Sequence, residues 1–94
     1  MPNVTIPDEK KAVIETLLLE IFPGHLVRFE QDLEAYGIVV CIDGPTGNLV
    51  HRISIFGDFI DDNNAEEIAR KLHASNLRVR LRELGRDPLV IVPD

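Results

Sequence analysis

The sequence predicts a two-layer α+β domain, with elements in the order α-β-β-β-α and a short strand or apolar arm at the end. Three observations carry that prediction. An apolar stripe at helical spacing runs up to Pro23-Gly24. Three strand candidates follow, the second of them a β-branched run bounded by turn residues. A second helical stripe opens after Asp62-Asn63-Asn64. The expected sheet is an antiparallel meander with the helices on one face, and residues 1–94 form one small domain.

The first helix places Ile14, Leu17, Leu18 and Ile21 on one face. Thr5 is its expected cap, with Pro7 early in the first turn, where a missing N–H costs nothing. Asp8 and Glu9 stand near the positive end of the helix dipole. Lys11 and Glu15 are spaced to pair on the wet side.

Val27 and Phe29 alternate with Arg28 and Glu30, which reads as a half-buried strand. Tyr36 to Ile42 is the second strand and Leu49 to Phe56 the third. Asp43 to Asn48 forms the turn between them. Pairing Asp43 with Asn48 puts Ile38, Val40 and Ile42 on one face with Leu49, His51, Ile53 and Ile55. A slip of one residue would bury Arg52 among aliphatics, so the hydrophobic pattern fixes the faces.

Asn63 and Glu66 have capping-box spacing at the start of the second helix. Ala65, Ile68, Ala69 and Leu72 form its buried stripe. Glu66–Arg70 and Glu67–Lys71 are favourable pairs. From Ser75 two readings compete. Leu77 to Arg82 alternates strictly, as a strand does. Leu77, Leu81 and Leu84 also fit a helix face ended by Gly85, and the good helix formers favour that reading. On a continuous helix Val79 would stay on the Ile68/Leu72 face, and the three leucines would point more than a quarter-turn away. Leu89 to Val92 is a short strand or an apolar arm.

Candidate chemistry is sparse. The strand faces put Cys41 and His51 on opposite sides of the sheet, which argues against a nucleophile–base pair. Cys41 reads as a small apolar filler and His51 as a core-edge histidine bonded to backbone. No two histidines stand at helix spacing and there is no Cys-x-x-Cys, so no metal is expected. A calcium loop starting at Asp58 or Asp62 would need glycine where Asn63 or Glu67 stands. Those acids read as helix-start residues. Gly44-Pro45-Thr46-Gly47 lacks the lysine and the helix of a phosphate loop, so it reads as a hairpin turn. No cofactor is expected. The element order is shared with double-stranded-RNA-binding domains, but Asp58, Asp61, Asp62, Glu66 and Glu67 stand where such modules present basic residues.

Ten Lys+Arg against sixteen Asp+Glu give a net charge of −6, which excludes a generally basic nucleic-acid binder. The charge is uneven. Met1 to Ala69 carries a balance of −9, and Arg70 to Asp94 a balance of +3. The N-terminus has neither the cationic nor the apolar region of a secretory signal, and one unpaired cysteine fits a reducing compartment. No run approaches a membrane span. A cytoplasmic location is therefore expected.

Apolar residues are left over. Val39, Cys41 and Val50 fall on the outer face of the sheet, and the Leu77/Leu81/Leu84 stripe and Leu89 to Val92 need cover. Either the C-terminal arm folds back over the outer sheet or a second copy supplies the cover. The functional expectation is a small non-enzymatic protein-interaction module that forms a homodimer. Its contact region would be Leu77, Arg78, Arg80, Leu81, Arg82 and Leu84. The alternative is an anion or nucleic-acid binder using Arg78, Arg80, Arg82 and Arg86 of the basic segment.

Overall fold

The structure is a computed structural model and describes residues 3–93. Met1, Pro2 and Asp94 lie outside the described residues, and with them the outermost part of the N-terminal and charge-balance readings. The elements are α1 (Asp8–Ile21), β1 (Leu26–Gln31), β2 (Gly37–Asp43), β3 (Leu49–Phe56), α2 (Gly57–Asp62), α3 (Ala65–Ala74), α4 (Leu77–Leu84) and β4 (Leu89–Ile91). The strands form one sheet in the order β1-β2-β3-β4. The α+β class and the α-β-β-β-α order with a terminal strand are as the sequence predicts. The sheet is not a pure meander, because β4 runs parallel to β3. Three helices intervene and carry the chain back across one face, so it re-enters the sheet in the direction β3 took.

The helix starts differ from expectation in detail. Thr5 is exposed and does not cap α1. Pro7 is the cap residue, and its carbonyl accepts from the backbone N–H of Lys10 and of Lys11, both at 3.0 Å. Its fixed φ of −58° suits that entry. The capping box lies one residue later than the spacing of Asn63 and Glu66 predicts. Asn64 accepts from the Glu67 N–H at 2.8 Å, and Glu67 accepts from the Asn64 N–H at 3.0 Å. Asn63 has another task. Its buried amide donates to the Phe59 carbonyl at 2.8 Å and closes the short helix α2.

Apart from Leu49, the β2–β3 faces are as predicted, although the pairing is shifted by two residues. Ile42 faces His51, Val40 faces Ile53 and Ile38 faces Ile55. A shift of two preserves which side every side chain points to. One residue of the shift arises in the turn, which sets Asp43 opposite Leu49 and not Asn48, and the other in a bulge. Asp43 pairs with Leu49, leaving Val50 as the extra residue of a bulge. Leu49 therefore stands opposite Asp43 on the outer face, not in series with His51. Gly44 donates to Asn48 at 2.8 Å, and Gly47 turns the chain at φ +87°.

The core lies between the inner sheet face and the helices. Ile38, Val40, Ile42, Ile53, Ile55, Leu89 and Ile91 of the sheet meet Ile14 and Leu18 of α1, Phe59 and Ile60 of α2, and Ile68 and Leu72 of α3. Burying each such side chain contributes roughly 1.5–3 kcal/mol. Two glycines permit close approaches. A methyl group on Gly37 would stand 2.7 Å from the Ile55 carbonyl oxygen, and one on Gly57 would overlap the Tyr36 ring. Tyr36 is held at both ends of α2, by its backbone and by its ring hydroxyl. Gly57 N–H donates to the Tyr36 carbonyl at 2.9 Å, and the Tyr36 hydroxyl donates to Asp61 Oδ2 at 2.7 Å. The bond to Asp61 holds the phenol above its ordinary pKa.

Candidate functional site

Helix α4 holds all six residues of the expected contact region, and the structure divides them. Leu77 and Leu81 are 2% and 0% exposed and belong to the core of this chain; Leu84 packs half-buried against it. These leucines therefore form no outward stripe. The expectation assumed that α3 runs on into α4. It does not, because Asn76 adopts the left-handed conformation at φ 57° and ψ 50°. The break swings Leu77 and Leu81 inward and turns Val79 out to 42% exposure. Asparagine is among the few non-glycine residues that enter this conformation readily, so Ser75-Asn76 was a readable stop signal.

What α4 offers to solvent is its three arginines together with Val79 and Glu83. Arg80 lies on one flank, donating to the Ser75 carbonyl at 3.4 Å. It borders a groove of about 320 Å³ formed with Phe59, Leu72, Ala74 and residues 90–92 of the C-terminal segment. Arg78 and Arg82 lie on the other flank, where they line a cleft of about 490 Å³ with Ile21, Phe22 and His51.

The sequence reading of His51 as a backbone-bonded core-edge residue matches its placement. It is 9% exposed, and its Nδ1 is 2.9 Å from the Gly85 carbonyl. A carbonyl only accepts, so Nδ1 carries the proton and donates. The ring lies 5.0 Å from that of Phe22, which in turn lies 5.6 Å from that of His25. Strand β3 thus brings a polar ring to the rim of an otherwise aliphatic face.

Cys41 is on the opposite side of the sheet from His51, as the register argument predicts. It is flanked across the strands by Arg28 and Arg52. Its Sγ lies 3.8 Å from Glu30 Oε2. Burial, and then the Glu30 charge, push the thiol above its ordinary pKa. It is a poor nucleophile at neutral pH.

The remaining charged side chains of the outer face are hydrogen-bonded, Arg28 to carboxylates and Arg52 to a backbone carbonyl. Arg28 binds both carboxylate oxygens of Asp43, at 2.5 and 3.2 Å, and reaches Glu30 at 2.8 Å. Its guanidinium holds the Asp43 carboxyl below the usual range, and its own pKa is raised in return. Arg52 donates twice to the Arg86 carbonyl, at 3.3 and 3.2 Å. Cys41 is buried and Val39 and Val50 half-buried, so the expected wet apolar patch is largely covered.

The C-terminal run does not fold back over this face. It joins the sheet as an edge strand, with Leu89 and Ile91 buried and Val90 and Val92 exposed at 46% and 52%. Among the described residues no group of three or more His, Cys, Asp or Glu is placed to hold a metal ion, and no helix is long and apolar enough to cross a membrane. Comparison of the chain with models of known protein families, with curated proteins and with solved structures gives no match.

Proposed function

We propose that this chain is a small non-enzymatic interaction module that pairs with a second copy of itself through the edge strand β4. The observation that carries the reading is the character of that edge. Among the described residues β4 has β3 on one side and no strand on the other. Leu89 to Val92 contains no charge and no proline, and its alternate side chains Val90 and Val92 are exposed. Natural edges are blunted by charge, proline or cover, because a bare edge templates another strand. Two β4 strands meeting antiparallel about a two-fold axis would join two four-stranded sheets without opposing like charges within the paired segment.

Pro88 and Pro93 limit the paired segment to four residues. An interface of that length falls at the small end of specific contacts, so a micromolar or weaker dissociation constant is expected. A non-enzymatic role is supported by the separation of Cys41 from His51 and by the protonated state of the thiol at neutral pH. A reducing, cytoplasmic setting is supported by the unpaired Cys41. Size-exclusion chromatography with light scattering over a concentration series tests the proposal. The mass should rise toward that of a dimer with concentration, and a strict monomer at millimolar protein overturns it.

A further inference from the structure

The cleft between the end of α1, β3 and α4 carries positive charge that no ion pair among the described residues offsets. Arg78 and Arg82 stand one turn apart on α4 and face the same space. Both are exposed, and among the described residues neither has a carboxylate within ion-pair distance. The carbonyl end of α1, at Ile21 and Phe22, contributes about half a negative charge against two full guanidinium charges. Glu20, the carboxylate of that last turn, lines a separate groove with Ala12, Val13 and Ala69. The cleft therefore keeps a positive potential inside a domain of net charge −6.

His51 adds a fixed polar atom. Its Nδ1–H is committed to the Gly85 carbonyl. Among the described residues its Nε2 has no hydrogen-bond partner, yet no buried side-chain nitrogen or oxygen lacks one. Nε2 is thus not sealed in the core; in this tautomer it carries a lone pair, so toward a ligand it accepts a hydrogen bond and gives none to a phosphate oxygen. Phe22, tilted at 41° to the imidazole, and Ile21 supply an apolar wall beside it.

We propose that this cleft binds the phosphate monoester of a small organic molecule. The dianionic head matches two unpaired guanidinium groups, whereas a carboxylate would satisfy one. The apolar wall takes the organic part, and about 490 Å³ lies within the range of small-ligand sites. An extended polyanion is disfavoured by the acidic remainder of the surface. The site and the β4 edge lie on different flanks of α4, so the two proposals stand or fall separately.

Titration of the full chain with phenyl phosphate, followed in ¹H–¹⁵N spectra, tests the assignment. Saturable shifts are expected at Phe22, His51, Arg78 and Arg82, with affinity above that for inorganic phosphate because only the ester reaches the wall. The double variant Arg78→Gln/Arg82→Gln should weaken binding by about tenfold or more with its urea midpoint unchanged. Arg80→Gln, on the other flank, should leave binding as it is. Non-saturating shifts at millimolar ligand, or equal weakening by Arg80→Gln, overturn the proposal. So does tighter, steeply salt-dependent binding of an oligouridylate, which would mark a nucleic-acid surface instead.

Discussion

The two edges of the sheet are finished in different ways. Along β1 the exposed side chains are Leu26, Arg28 and Glu30, so charge interrupts the edge. The Gln31 amide then fastens the N-terminal segment beside it. It accepts from the Val4 N–H at 2.8 Å and donates to the Val4 carbonyl at 2.7 Å, and Val4 is 3% exposed in the core. The β4 edge has neither device. It is uncharged, flanked by prolines, and bordered by a groove instead of a latch. The difference shows that this fold can protect an edge with one side chain and does so at one end only. The bare edge is thereby the place to look for a partner.

The largest effect is expected where β4 gets its support. Leu81 is fully buried, and α4 packs against β4. Leu81→Ala should cost about 3 kcal/mol in urea unfolding, and the β4 amides should be the first strand amides to lose hydrogen-exchange protection. A loss under about 1 kcal/mol would mean that α4 does not carry the edge. Next comes the latch on the other side. Gln31→Ala removes two hydrogen bonds to Val4 and should cost about 1–2 kcal/mol, with exchange of the β1 amides accelerated while β4 is unchanged.

A smaller effect belongs to the charges that interrupt the β1 side. Arg28 is fixed by Asp43, whose carboxyl sits below its ordinary value of 3.8 in the folded state. A lowered carboxylate contributes stability that is fully present above the ordinary value and is lost as pH falls through the folded one. Asp43→Asn should therefore lower the urea midpoint at neutral pH, and its difference from the native chain should shrink as the medium is acidified below about pH 4. A difference that stays constant with pH would assign the loss to packing.

The contrast between the edges was not legible in the sequence, but much of the fold beneath it was. The face assignment of β2 and β3 followed from parity, since burying Arg52 was the alternative, and it survived a two-residue shift in pairing. That shift was not legible, because a bulge at Val50 depends on how the turn closes and not on the hydrophobic alternation. The composition of residues 77–84 favours a helix over a strand, yet a helix continuous with α3 would turn its leucines outward. One left-handed residue, Asn76, redirected the whole element, and a stripe calculated on a continuous helix could not register it. The direction of β4 was hidden for a similar reason. A three-residue strand has too little pattern to reveal which way it runs, and the three preceding helices decide it. His51 was placed correctly as a core-edge residue. Its meeting with Arg78 and Arg82 depended on the same break at Asn76 and could not be read from spacing.

Sedimentation velocity of three chains over a concentration series tests the contrast between the edges most directly. The chains are the native protein, Val90→Lys at the bare edge and Leu26→Lys at the protected one. Both positions are exposed, so both variants should fold. The native chain and Leu26→Lys should associate alike as concentration rises, and Val90→Lys should sediment as a monomer throughout. Association of Val90→Lys equal to that of the native chain, or dissociation caused by Leu26→Lys alone, would contradict the account.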